Sequence, residues 1–290
     1  MIKTTQPNHE VRCFKGHNGL DILADCYGDP TNQAVLFAHG GGQTRYAWGQ
    51  AAKVMGEKGF YGVAFDSRGH GDSQWSPEGD YRLADYGNDM GNIAKSLNNP
   101  IAVGASLGGL SAISATQVVS PDIFDAIILV DITPRMQPGG VAKVLGFMSE
   151  KAEQGFASLE DASEAIALYL PHRKKPKSLD GLAKNLRLGD DGRYRWHWDP
   201  RFLSSDNRPT MDGHADRLYA IASKIQQPML LIRGQMSELV TEEAVEEFLE
   251  RIPNAQYVDI KDAGHMIAGD KNDVFTESVV TFVNSLELTH

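Results

Sequence analysis

The apolar positions of this chain cluster in short runs instead of alternating strictly with polar ones. Residues 33–38, 60–65, 100–105, 124–130, 228–233 and 256–260 form such runs. Strands covered on both faces read this way. Between them, near 45–58, 81–97, 107–119, 241–252 and 271–286, the spacing is helical. Thr241 followed by Glu242 and Glu243 suits a helix start, with a capping hydroxyl and acid near the positive end of the dipole. Residues 10–27 read as two strands around Gly16-His17-Asn18-Gly19. Strands alternating with helices predict an α/β fold with a mostly parallel central sheet flanked by helices.

From 134 to 215 the alternation stops. The stretch opens on a breaker cluster, Pro134 to Gly140, and then predicts helices near 141–154 and 158–170. Residues 179–187 suggest a third. The segment Tyr194-Arg195-Trp196-His197-Trp198-Asp199-Pro200 fits neither period. The pattern therefore divides the chain into a core, 1–133 with 216–290, and an insertion, 134–215.

Composition narrows the function classes. The chain has 290 residues, 41% hydrophobic and 23% charged, ordinary for a globular enzyme. No apolar run approaches the roughly 18 residues of a membrane span. The polar stretch Met1–Glu10 lacks the apolar core of a signal peptide, so a cytoplasmic location is expected. A net charge of −10 argues against nucleic acid as a partner. The basic cluster His172–Lys177 reads as a solvated loop. Cys13 and Cys26 fall in two strands that could pair, yet two reduced thiols suit a chain without an export signal. No Cys/His spacing resembles a metal site.

The chemistry sits where strands end. The run 101–105 leads into Gly104-Ala105-Ser106-Leu107-Gly108, a Gly-x-Ser-x-Gly turn that exposes a serine above a sheet. The run 33–38 leads into His39-Gly40-Gly41-Gly42, and 61–65 into Asp66-Ser67-Arg68-Gly69-His70-Gly71-Asp72-Ser73. Far downstream, 256–260 precedes Asp262-Ala263-Gly264-His265. Open α/β sheets place ligands at these C-terminal strand ends. In this order and spacing the motifs resemble the α/β-hydrolase family, over essentially the whole length and more weakly from 134 to 215.

That resemblance implies a sheet of about eight strands and a mainly helical cap formed by the insertion. It makes Ser106 the nucleophile and His265 its base. The acid that orients the base is less regular. Many family members carry it three residues past a glycine after the seventh strand, which here is Ser237, following Gly234. Glu238 lies one place later. Asp131, 25 residues after Ser106 and in an Asp-x-x-Pro context, matches the family's other arrangement and is the choice over Glu238. The oxyanion hole is expected from the amides of Leu107 and Gly41, with Gly42 as the alternative to Gly41. His39 and the 66–73 turn are expected to hold loops in place. Trp196 and Trp198 are the expected substrate-binding aromatics. Tyr46, Trp48, Met136 and Phe147 are weighed for the same role and read as packing instead.

The expected activity is serine hydrolysis of a small or medium carboxylic ester through an acyl-enzyme, with a small-molecule acyl substrate as partner and no cofactor. A serine where dehalogenases and epoxide hydrolases of the family carry a carboxylate argues against those reactions. Lactones, thioesters, amides or a C–C bond remain alternative carbonyl substrates, and a ligand receptor with residual hydrolysis is the rival from another class.

Overall fold

A computed structural model describes residues 8–169, 178–207, 213–265, 267 and 272–287. The basic cluster His172–Lys177 lies outside the described residues. The eight-stranded sheet is built from β1 (His9–Lys15), β2 (Asp21–Tyr27), β3 (Ala34–Ala38), β4 (Tyr61–Phe65), β5 (Ile101–Ala105) and β6 (Ala126–Val130). Two further strands, β9 (Met229–Gly234) and β10 (Ala255–Ile260), complete it; β7 (Leu186–Leu188) and β8 (Tyr194–Trp196) belong to a separate ribbon. The strand order is β1-β2-β4-β3-β5-β6-β9-β10. The pairs β1–β2 and β2–β4 are antiparallel and all other pairs are parallel.

The continuous apolar runs have their cause in this layering. Along β3, Leu36 and Ala38 pack into one apolar cluster while Val35 and Phe37 pack into the other. Successive side chains point to opposite faces, so both must be apolar when helices cover both. The first cluster contains residues of α2 (Leu83–Ala94), α3 (Leu107–Val118), α7 (His214–Ala222) and α8 (Glu242–Arg251). The second contains residues of α1 (Gly49–Glu57) and α9 (Asn272–Glu287). At the start of α8 the Thr241 side chain accepts the Ala244 N–H at 3.3 Å, as its position predicts. In the β1–β2 hairpin Cys13 pairs with Leu23 and Cys26 with Glu10. Leu23 and Cys26 are three positions apart, an odd offset that puts the two thiols on opposite faces; both are free.

Between β6 and β9 the sequence reading needs correction. Helices α4 (Pro138–Glu150) and α5 (Leu159–Tyr169) are present. The expected third helix over 179–187 is a single turn, α6 (Asp180–Ala183). It is followed by β7 (Leu186–Leu188), which pairs antiparallel with β8 (Tyr194–Trp196). The ribbon turns over Asp190-Asp191-Gly192, with Gly192 at φ 74°. These elements have an apolar cluster of their own around Met148, Phe156, Ala162, Leu186, Trp196 and Trp198.

Candidate active site

β5 delivers Ser106 to the sheet edge in a conformation few residues tolerate, φ 46° and ψ −114°. Its neighbours must be small. A Cβ at Gly104 would overlap the Gly108 backbone, and one at Gly108 would overlap the Ala38 carbonyl. The turn therefore holds only because β5, α3 and β3 meet at glycine, and the strain is carried by their packing. Ser106 then opens on a cavity of about 450 Å³ that His265 also lines.

Asp131 sits just beyond β6, fully buried, at φ 48°. Its Oδ1 accepts the Gly234 N–H at 3.0 Å. Its Oδ2 accepts twice, from Ser237 Oγ at 2.6 Å and from His265 Nδ1 at 2.7 Å. A carboxylate only accepts, so the imidazole proton resides on Nδ1 and the Nε2 lone pair is left available. Glu238, the alternative acid, is 64% exposed at its side chain and pairs with Lys143 at 2.6 Å. The structure thus brings Asp131 to His265 and leaves Glu238 at the surface.

Ser237 is the residue the sequence reading discounted. Its Oγ accepts the N–H groups of Leu239 at 3.2 Å and Val240 at 3.1 Å. With both acceptor sites filled, its proton is committed to Asp131. The signal in the sequence was a serine three residues past Gly234, where the family resemblance implies an acid.

Of the three loop glycines, the geometry separates Gly41 from its neighbours. The Gly40 N–H is donated to Gln43 Oε1 at 3.0 Å and the Gly42 N–H to His70 Nε2 at 3.1 Å. Among the described residues no acceptor takes the Gly41 N–H. Leu107 is the first residue of α3, a position whose N–H has no partner within a helix. Gly41 and Leu107 lie close together: a Cβ on Gly41 would be 3.9 Å from the Leu107 side chain.

The other histidines hold loops. His39 Nδ1 meets the Gly40 carbonyl at 2.8 Å while Nε2 accepts the Ser67 N–H at 2.9 Å. His70 Nδ1 meets the Arg68 carbonyl at 2.9 Å, its Nε2 being filled by Gly42. Burial pushes His39 down to about 4 and His70, which also faces His39, to about 3. His197, to which the sequence assigned no role, joins them: its Nδ1 accepts the Gly71 N–H at 2.6 Å and its ring lies 5.9 Å from that of His70. Arg68 forms a buried two-pronged pair with Asp89 at 2.6 and 2.7 Å, and Arg45 pairs with Asp66. These contacts tie the 66–73 turn to its surroundings and point its charges away from the cavity.

Trp196 and Trp198 stack at 4.9 Å and both line the cavity. Tyr46, Trp48 and Phe147 line it as well; Trp48 and Phe147 also pack as read for them, Trp48 in a sheet-face cluster and Phe147 against the Trp196 cluster, and Met136 packs on the other sheet-face cluster. The sequence reading missed Met148, Ile166 and Tyr169, because helical spacing alone does not say which face of α4 or α5 meets a cavity.

Comparison with known proteins gives the chain its family. A family model described as alpha/beta hydrolase fold matches residues 33–271. The esterase Rv0045c of Mycobacterium tuberculosis is 30% identical over 258 residues, 84% of this chain and 80% of the relative. The 3-hydroxybutyrate-oligomer hydrolase of Cupriavidus necator is 25% identical over 252 residues, 82% of this chain and 85% of the relative. A solved structure of the M. tuberculosis esterase superimposes with a TM-score of 0.76 at 24% identity, covering 97% of this chain and 93% of that one.

Proposed function

The chain belongs to the alpha/beta hydrolase fold family and is a hydrolytic enzyme of the esterase type; from that premise we propose that it cleaves small or medium carboxylic esters by serine catalysis. The observation that carries the reading is the hydrogen bond at 2.7 Å between buried Asp131 and His265, with His265 and Ser106 opening on one cavity.

In this reading His265 Nε2 takes the Ser106 proton as Oγ bonds to the ester carbonyl carbon. The carbonyl oxygen becomes an anion received by the amides of Gly41 and Leu107. The tetrahedral intermediate collapses, the C–O bond to the alcohol breaks, and His265 returns the proton to the departing oxygen. Water then repeats the sequence on the acyl-enzyme and frees Ser106. Asp131 fixes the imidazole tautomer and stabilises the cation formed in each half. Residues 134–215 act as a cap over the nucleophile, with Trp196 and Trp198 in contact with substrate.

A fluorophosphonate tests the reading. One labelled peptide containing Ser106 is expected, and Ser106→Ala should lose both label and turnover of p-nitrophenyl esters. Labelling at another residue, with turnover kept in the variant, would refute it.

A further inference from the structure

The cavity is not uniform. One wall, from α4, α5 and β8, is apolar: Val144, Phe147, Met148, Ile166, Trp196. Polar groups line it as well: Gln43, Thr44, Tyr46, Lys184 and Asn185. Lys184 is the one permanently charged side chain among the described residues that line the cavity, and no Asp or Glu is among them. In a chain of net charge −10, a cavity without a carboxylate and with one ammonium runs against the overall sign.

Lys184 is held in place but not neutralised. Its Nζ lies over the Tyr46 ring, 5.0 Å from the centroid. Arg45 also lies over that ring, at 4.7 Å. The two cations differ in their partners. Arg45 is met by Asp25 at 3.3 Å, by Asp72 at 2.8 Å and by Asp66. Among the described residues no carboxylate pairs with Lys184. Lys143, which faces Tyr169 on the other wall at 6.0 Å, is already paired with Glu238. The backbone carrying Lys184 is anchored next door, where Asn185 accepts from Thr44 Oγ1 at 3.1 Å and donates to the Gly181 carbonyl at 3.0 Å. A stacked ring keeps an ammonium at the cavity and leaves its hydrogen-bond donors open to a ligand.

Resting on the esterase reading above, we propose that Lys184 selects esters carrying a free carboxylate remote from the scissile bond. The apolar wall takes the intervening methylenes and Lys184 takes the terminal anion through a charge-assisted hydrogen bond. The negative charge of the rest of the molecule does not cancel this. Salt screens exposed charges beyond about 8 Å at physiological ionic strength, whereas the Lys184 contact is direct.

The test compares the p-nitrophenyl monoester of glutaric acid with neutral p-nitrophenyl pentanoate. The expected result is that Lys184→Ala lowers the ratio of kcat/KM for the anionic over the neutral ester about tenfold, in the range of one charge-assisted contact. Lys184→Arg should restore most of the ratio, Lys184→Glu should lower it further, and added salt should lower it in the wild type and Lys184→Arg but not in Lys184→Ala. An unchanged ratio in Lys184→Ala, or one that Lys184→Glu shares, would overturn the proposal. Binding of monobutyl succinate to Ser106→Ala, followed by tryptophan fluorescence, decides the role of Lys184 without turnover. Weaker binding in Ser106→Ala/Lys184→Ala supports it, and equal binding rejects it. Loss of turnover on both esters with no fluorophosphonate label in the wild type would instead refute the esterase reading.

Discussion

At the scale of single residues, Asp131 shows how a site can be half legible. Its distance from Ser106 and its Asp-x-x-Pro context name it as a candidate, yet only the fold brings β6 and β9 side by side. That pairing places Ser237 against the same carboxylate oxygen as His265. Asp131→Asn should preserve the fold and lower kcat about 10⁴-fold, because an amide supports the wrong imidazole tautomer. Glu238→Gln should change kcat by less than about twofold, as an exposed pair contributes little. Ser237→Ala removes one hydrogen bond to a buried charge and leaves the other two, so kcat should fall about tenfold. Steady-state kinetics with circular dichroism checks all three. A loss in Glu238→Gln larger than in Asp131→Asn would reverse the assignment of the acid. Sequence order favours Gly41 and leaves Gly42 open, because three glycines in a row are chemically identical. What separates them is that Gln43 and His70 occupy the amides on either side.

At the scale of elements, the inner strands β3, β4, β5, β6 and β9 were legible because burial on both faces leaves no polar alternation to misread. The segment over the cavity was not. Residues 179–187 have helical spacing, but pairing across the turn at Asp190-Asp191-Gly192 draws Leu186–Leu188 into a ribbon. Tertiary pairing overrides propensity in so short a stretch. The Ser106 turn is the opposite case, an element whose sequence requirement is absolute. A side chain at Gly108 would enter the Ala38 carbonyl, which is backbone and cannot move aside. Gly108→Val should therefore cost about 1–3 kcal/mol or more from overpacking. Label at Ser106 should fall further than the thermal midpoint suggests, since strain relief moves the serine itself. A variant that melts like the wild type and labels at the same rate would show that the turn tolerates bulk.

At the scale of the whole molecule, three neutral histidines join the sheet to the segment above it. His39 and His70 lie with ring centroids 5.3 Å apart, and His70 and His197 at 5.9 Å. Each accepts a backbone N–H on one ring nitrogen: His39 from Ser67, His70 from Gly42, His197 from Gly71. Protonation of that nitrogen breaks the bond and buries a charge, so the folded-state pKa values lie below the unfolded value near 6.5. The unfolded chain therefore binds more protons than the folded one between about 6.5 and 4. Stability from these groups is complete above the unfolded pKa and is lost as pH falls below it. The loss is about 1.4 kcal/mol per pH unit for each histidine. Carboxylates titrate mostly below this window, so the slope from pH 6.5 to 5 belongs to the imidazoles. Three such groups remove about 6 kcal/mol by pH 5 and about 10 kcal/mol by pH 4, a large share of a total stability of about 5–15 kcal/mol. Urea unfolding at pH 7, 6 and 5 should show that slope. In His197→Asn the amide oxygen can still accept from Gly71 but does not titrate. Its slope should be smaller by one proton, with stability at pH 5 closer to that at pH 7 than in the wild type. A wild-type profile flat from pH 7 to 5, or an unchanged slope in His197→Asn, would remove the histidines from the acid response.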